Sequence, residues 1–416
     1  MSSARAHGRS GIADFDFAQS PFVVIWETTR ACALACRHCR AEAVPGRHPF
    51  ELSTEEAKDM LRRVREFGRV VFVLSGGDCL QREDVYDLIE YGASLGLRMA
   101  ATPATTDLAT PEAIRRLQAA GISRLAVSLD GSCPEIHDDF RRVEGSFACG
   151  VRILETCRSI GLSTQVNTVI GRHNVDDFDA LAGLMTRLGI VFWEVFFLVP
   201  VGRAKPEDLA SAEEFEAIFH KMYDLSRTAP FDVKATAAPQ YSRVILQRQA
   251  AERAAGERTA APDTMTSGVM FSLSDGIGRA RSVNDGDGFM FISHLGEIMP
   301  SGFLPIAAGN VRTHNLVDVY RDATLFRQLR DRSLRKGKCG VCEYLAVCGG
   351  SRARAYGVTG DFLDSEPCCA HVPKLYRRML DRDVADTPGD FVPRRSVLAI
   401  PVAHPLDSPT CKVPVR

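Results

Sequence analysis

Short β-branched and aromatic runs alternate with stretches whose apolar residues recur every three or four positions, from about residue 21 to about residue 230. Period two alternating with period 3.6 is the pattern of a parallel sheet built from successive βα units. It predicts six strands, at 22–27, 69–74, 98–102, 124–129, 164–169 and 191–198. Helix boundaries are legible too: Ser53 with Glu56 makes a capping box, and Gly68 and Gly121 stand near helix ends. Six such units form an open α/β structure, a partial (β/α)6 barrel, whose site is expected on the loops at the carboxyl ends of the strands. Further along, 211–227 and 240–255 read as helices. The stretch 256–288, rich in Gly, Ser, Thr and Asp, reads as a linker or a lid. Residues 289–300 alternate about Leu295-Gly296 as a β-hairpin. The expected organisation is an N-terminal arm at 1–20, the barrel at 21–230, a helical connector and loop at 231–288, a small module at 289–373 and a C-terminal tail at 374–416.

Composition changes this picture little. With 416 residues, 45% hydrophobic and 25% charged, the chain is ordinary globular material. A net charge of -1 gives no whole-chain field toward nucleic acid or an anionic membrane, so neither is expected as a partner. Thirteen cysteines, an odd number, follow a polar opening without an apolar signal segment. That argues against a disulfide framework and for a reducing compartment, the cytoplasm. No apolar run approaches the ~18 residues of a membrane span.

The chemistry begins just after the first predicted strand, where Cys32, Cys36 and Cys39 stand in a C-x3-C-x2-C spacing. Structural zinc wants four ligands, usually in paired form, and His38 is sterically poor as the fourth from within the same tight turn. Iron–sulfur clusters choose thiolate, and this loop can hold three corners of a four-iron cubane while one iron stays open. The spacing resembles the radical S-adenosylmethionine (SAM) superfamily. The resemblance implies that Cys32, Cys36 and Cys39 hold a 4Fe-4S cluster whose open iron chelates SAM. It also implies that an electron from the cluster breaks SAM's carbon–sulfur bond to give a 5'-deoxyadenosyl radical. His38 occupies the position at which most members carry an aromatic residue.

Later loops extend the likeness. Ser75-Gly76-Gly77-Asp78 is similar to the superfamily's Gly-Gly-Glu-Pro motif, with Asp78 for Glu and Cys79, read as a small neutral residue, for Pro. Ser128-Leu129-Asp130 follows the fourth predicted strand and Leu198-Val199-Pro200 the sixth. Alone, each reads as a turn. Together at these strand ends they imply that Gly76, Gly77 and Asp78 serve the SAM ammonium, Ser128 and Asp130 its ribose, and the backbone at Val199 its adenine.

Cys339-x2-Cys342-x5-Cys348 and the pair Cys368-Cys369 resemble the SPASM or twitch extension of radical SAM enzymes. Three further cysteines of a full SPASM module are missing, and Ser301 stands where the family often has one. One auxiliary 4Fe-4S cluster is therefore expected on Cys339, Cys342, Cys348 and Cys369, with tetrahedral zinc as the alternative. Cys369 is preferred to Cys368 because Cys369-Ala370-His371-Val372-Pro373 resembles the Cys-Pro-Tyr-x-Pro ending of related chains. Cys133, Cys149, Cys157 and Cys411 lack partners at ligand spacing and read as small hydrophobes or, for Cys411, a tail residue.

Trp26-Glu27-Thr28-Thr29-Arg30, the Cys36-Arg37-His38-Cys39-Arg40-Ala41-Glu42 run and the one-cluster module look like the tetrapyrrole branch of the superfamily, which holds the alternative heme synthase and the heme d1 maturation enzyme. The resemblance implies oxidative decarboxylation of tetrapyrrole propionates, with a flavodoxin or ferredoxin as electron donor. Modification of a ribosomal peptide or dehydrogenation of a small natural-product intermediate is the alternative. Arginine forks suit carboxylates, so Arg352 and Arg354 are candidates to face the substrate, with Arg203 and His294 behind them. No residue announces itself as a general acid or base.

Overall fold

The computed structural model describes residues 16–256, 269–271, 278–280 and 283–385. The six expected strands are present as β1 (Val23–Glu27), β2 (Val71–Ser75), β3 (Arg98–Ala101), β4 (Arg124–Ser128), β5 (Thr164–Ile170) and β6 (Phe192–Phe197). They pair in parallel, in sequence order. The intervening helices are α1 (Thr54–Arg65), α2 (Val85–Ser94), α3 (Pro111–Ala120), the pair α4 (Pro134–Arg141) and α5 (Ser146–Ser159), and α6 (Phe178–Leu188). Ser53 and Glu56 form the expected capping box of α1, and Gly121 ends α3 in the left-handed conformation.

The sheet runs past both ends expected for it. After α7 (Ala212–Thr228), β7 (Asp232–Thr236) adds to β6 inside the stretch read as helical connector. Lys234 and Thr236 interrupt its apolar pattern, which hid the strand. α8 (Gln240–Ala254) follows, and β8 (Val269–Phe271) and β9 (Gly278–Ala280) pair antiparallel. The rest of the stretch read as linker or lid lies largely outside the described residues. The hairpin is β10 (Phe289–Ile292) and β11 (Glu297–Met299), joined by β12 (Gly309–Asn310). β10 pairs in parallel with β1, Val23 opposite Phe289 and Trp26 opposite Ile292, so the C-terminal module continues the barrel sheet. The result is ten strands in the order β12-β11-β10-β1-β2-β3-β4-β5-β6-β7.

Strand alternation assigns the two faces. Val24, Trp26, Phe72, Leu74, Met99, Leu125, Val127, Val166 and Trp193 are buried outward against the helices. Their neighbours Val23, Ile25, Val71, Val73, Ala100, Ala126 and Asn167 line the hollow inner face. Among the described residues no helix is long and apolar enough to cross a membrane.

The remaining helices are α9 (Leu316–Asp322), α10 (Thr324–Arg330), α11 (Gly337–Gly340), α12 (Arg352–Thr359) and α13 (Lys374–Ala385). Residues 386–416 of the expected tail, Cys411 among them, lie outside the described residues. Cys149 and Cys157 are core residues, as their isolation suggested. Arg352 and Arg354 do not face a substrate: both are fully buried. Arg352 donates to the carbonyls of Gly350, Phe362 and Asp364. Arg354 donates to Phe197 O at 3.0 Å, Leu198 O at 3.0 Å and Ala237 O at 2.7 Å, and pairs with Glu366 at 3.1 Å. It thereby clamps α12 to the carboxyl ends of β6 and β7. Replacing Arg354 with Met strands three carbonyls and a buried carboxylate, and breaking a buried pair from one side costs ~3–5 kcal/mol. Urea unfolding is expected to show a large fall in midpoint for Arg354→Met, whereas exposed Arg62→Met stays within about 0.5 kcal/mol of the parent.

Candidate functional site

A cavity of about 860 Å³ fills the inside of the sheet, at the upper end of the ~300–1,000 Å³ typical of small-molecule sites. Cys32, Cys36 and Cys39 line its mouth together with Gly76, Gly77, Ser128 and Val199. The cysteine loop is pinned by backbone: Cys32 N bonds Val44 O at 2.9 Å, Arg37 N bonds Phe140 O at 3.0 Å, and Gly77 N bonds Thr29 O at 2.7 Å. Gly76 is required here, since its φ is +147° and a Cβ would stand 2.5 Å from Thr29 O. The glycines thus let β2 end against the cysteine loop.

Each of the three sulfurs accepts a donor. Leu34 N lies 3.4 Å from Cys32 Sγ, Ala43 N 3.4 Å from Cys39 Sγ, and Arg141 Nη1 3.6 Å from Cys36 Sγ. Donors aimed at sulfur suit thiolates that carry negative charge, so the loop fits a cluster held by three cysteines.

The two expected carboxylates sit behind this mouth, not on its wall. Asp78 is fully buried and accepts from Thr106 Oγ1 at 2.7 Å, Leu80 N at 3.1 Å and Ala104 N at 3.3 Å. Burial raises its pKa, against the pull of these hydrogen bonds. Asp130, also fully buried, accepts from Val169 N at 2.8 Å and pairs with Arg141 at 2.6 Å. Burial raises the Asp130 carboxyl, but Arg141 and the neighbouring histidines outweigh it and hold it well below the usual range. Sequence alone offered no sign of Arg141, which links Asp130 to Cys36 through one guanidinium. Arg203 holds the loop through the carbonyls of Cys36 and Ala43 and is not directed at a substrate.

Glu27, the last residue of β1, is a further buried carboxylate beside the cysteine loop. Fully buried, it accepts from Arg40 at 2.7 Å, Arg30 at 3.1 Å and His294 Nδ1 at 2.9 Å. Arg40 in turn lies over the Phe291 ring, 4.4 Å from its centroid. One carboxylate therefore joins the cysteine loop, the first strand and the C-terminal hairpin, and His294 serves it.

Deeper in, the cavity has two unlike walls. Ile25, Val73, Ala100, Ala126 and Phe291 make one apolar side. Opposite, Asn167, Glu194 and Lys234 stand in register on β5, β6 and β7. Glu194 accepts from Gln165 at 2.6 Å, Lys234 at 3.1 Å and Thr236 at 2.5 Å. A single acid within the otherwise apolar Phe-Trp-Glu-Val-Phe-Phe of β6 was the sequence signal for this network.

A second, small cavity is lined by Cys339, Cys342, Cys348 and Cys369. Cys368 instead joins the main core. Here too sulfurs receive donors: Glu366 N at 3.3 Å from Cys339, Tyr344 N at 3.4 Å from Cys342 and Gly350 N at 3.4 Å from Cys348. Glu343 and His371 offer ligand atoms within 4.8 Å of the Cys342 sulfur.

The Radical SAM superfamily pattern matches residues 26–185. The fold is shared with Streptococcus suis SuiB bound to S-adenosylmethionine, at a TM-score of 0.63 and 15% identity over 85% of this chain and 78% of that one. Sheet, loop and pattern together define a radical SAM enzyme, which uses a 4Fe-4S cluster and SAM. The chain is 39% identical over 354 residues to the AdoMet-dependent heme synthase of Nitratidesulfovibrio vulgaris, spanning 85% of this chain and 93% of that protein. It is 38% identical to the AdoMet-dependent heme synthase of Methanosarcina barkeri, spanning 85% and 97%. Within the radical SAM superfamily, the chain belongs to the family of these heme synthases.

The Glu27 hub has a pH signature. Burial raises its carboxyl, yet Arg40, His294 and Arg30 together bring the pKa down from 4.5 to about 2. A depressed pKa contributes stability that is present above the unfolded value and lost as pH falls through the folded one, here roughly 3 kcal/mol. In the iron-free chain, melting temperature should fall between pH 4.5 and about 2. Glu27→Gln should start lower and lose less across that window.

Proposed function

We propose that this enzyme oxidatively decarboxylates propionate side chains of an iron tetrapyrrole, as a heme synthase. The observation that carries the reading is the 39% identity to an AdoMet-dependent heme synthase across nearly that protein's whole length. The two-walled cavity supports it, since a macrocycle is flat and apolar at its centre and carboxylated at its rim. The apolar wall of Ile25, Val73, Ala100, Ala126 and Phe291 suits the ring face, and the cations Arg98 and Lys234 suit the rim.

Cys32, Cys36 and Cys39 are proposed to hold the SAM-binding cluster, and Cys339, Cys342, Cys348 and Cys369 one auxiliary 4Fe-4S cluster. When bound, the first supplies the electron that cleaves SAM and the second a sink for the electron left after decarboxylation. The balance requires that sink: a hydrogen atom leaves the carbon β to the carboxylate, the bond to the carboxyl carbon breaks, carbon dioxide departs, a vinyl group remains and one electron is surplus. Gly76, Gly77, Ser128 and Val199 are proposed to touch SAM directly. Asp78 and Asp130 act behind them, Asp78 fixing the β2 loop and Asp130 orienting Arg141 toward Cys36. A reduced flavodoxin or ferredoxin fits the need for single low-potential electrons, and thirteen cysteines suit the cytoplasm.

Anaerobic reconstitution is expected to give about eight iron and eight sulfide per chain, and a product with four iron and one zinc would remove the auxiliary cluster. Incubated with SAM, reductant and iron-coproporphyrin III, the enzyme should show a mass loss of one or two formic acid equivalents, with 5'-deoxyadenosine formed in step. Cys339→Ala should still cleave SAM but yield no decarboxylated product. A porphyrin of unchanged mass, beside a peptide or aminocyclitol that is altered, would refute the tetrapyrrole reading.

Asp130→Asn, which removes the charge that holds Arg141 beside Cys36, should weaken SAM binding about tenfold by disturbing the cysteine loop, the scale of the one charge-assisted hydrogen bond lost to Arg141. Titration of the reduced cluster's EPR signal with SAM measures it.

A further inference from the structure

We infer that Gln240 and Arg243, in the first turn of α8, hydrogen-bond the auxiliary cluster and set its reduction potential. The inference rests on the auxiliary-cluster reading above and adds α8 to it. Gln240 is 1% exposed, yet neither its amide nitrogen nor its amide oxygen has a partner. Leaving a buried polar group unsatisfied costs ~1–3 kcal/mol, so such a side chain marks something that bonds it. It lines the small cavity that the four cysteines bound.

Arg243, three residues on, lines the same cavity and is 3% exposed. Its Nη1 is held by Glu216 at 2.7 Å and Gln247 at 2.8 Å, while its Nε has no partner. The sulfurs show a matching vacancy in donors. Cys339, Cys342 and Cys348 each accept a backbone N–H. Among the described residues no donor to Cys369 Sγ is found; its contact is with His371 O at 4.0 Å. Unused donors on α8 and an undonated sulfur thus face one cavity.

The helix has a second face. Tyr241, Ser242 and Ile245 line the large cavity, so a single helix separates the substrate chamber from the four cysteines. An electron leaving the substrate has that one wall to cross, and the residues on its far side govern how favourable arrival is. Hydrogen bonds to cluster sulfur stabilise the more negative reduced state and raise the potential.

The test isolates the auxiliary signal in full-length chain carrying Cys32→Ala, Cys36→Ala and Cys39→Ala, then repeats the measurement on the intact two-cluster enzyme. EPR-monitored potentiometry of Gln240→Leu is expected to lower the one-electron reduction equilibrium constant about tenfold, 59 mV, with iron content unchanged. Gln240→Met, which nearly keeps the volume and carries no N–H or O–H donor, should lower it as much. Should the Leu variant fail to retain iron, the Met variant decides alone. An unshifted potential in an iron-replete Gln240 variant overturns the inference while the auxiliary cluster stands. A triple-alanine chain that binds zinc or no metal overturns both.

Discussion

Glu27 is a buried carboxylate that no neighbour can relinquish cheaply. It ends β1, receives Arg30 and Arg40 from either side of the cysteine triplet, and receives His294 from the C-terminal hairpin. A charge removed from water is tolerated only when paired and hydrogen-bonded. The carboxylate therefore fixes three segments at once. The cysteine loop, the β1–β10 pairing and the position of Arg40 over Phe291 meet around it.

The same economy recurs at the other end of the chamber. Arg354 reaches from α12 to carbonyls at the ends of β6 and β7, and Glu366 neutralises it. Two buried charges of opposite sign, one at the end of β1 and one at the ends of β6 and β7, thus hold the C-terminal module against the barrel. Between the clamps lies a cavity whose walls differ because β5, β6 and β7 turn polar side chains inward while β1 to β4 turn mainly apolar ones. Division of the chamber into a ring-like apolar side and a charged side is a consequence of strand order.

Both cysteine groups share a design. Their loops turn backbone N–H groups toward sulfur, which favours the thiolate form that metal requires. At the first group an arginine completes the set, and Asp130 behind it keeps that arginine in place. At the second, the wall helix α8 lies between the sulfurs and the large cavity.

Local pattern determined a good deal. Six βα units, the caps at Ser53 and Gly121, the hairpin about Leu295-Gly296 and the two cysteine groups were legible because each depends on residues near one another in sequence. β7 was not legible, because Lys234 and Thr236 point into a polar chamber that only the finished sheet creates. Nor was the fate of the charges. Asp78 and Asp130 are expected at the ligand and Arg352 and Arg354 at the substrate, yet all four lie buried on protein partners, which for Arg354 include the distant carbonyls of Phe197, Leu198 and Ala237. Cys369, preferred to Cys368 on a local cue, lines the small cavity while Cys368 joins the core. Spacing reveals which residues can share a metal, since ligands cluster in short loops. What a charged side chain faces is set by long-range packing, because the cost of burying it is met by whichever partner the fold brings near.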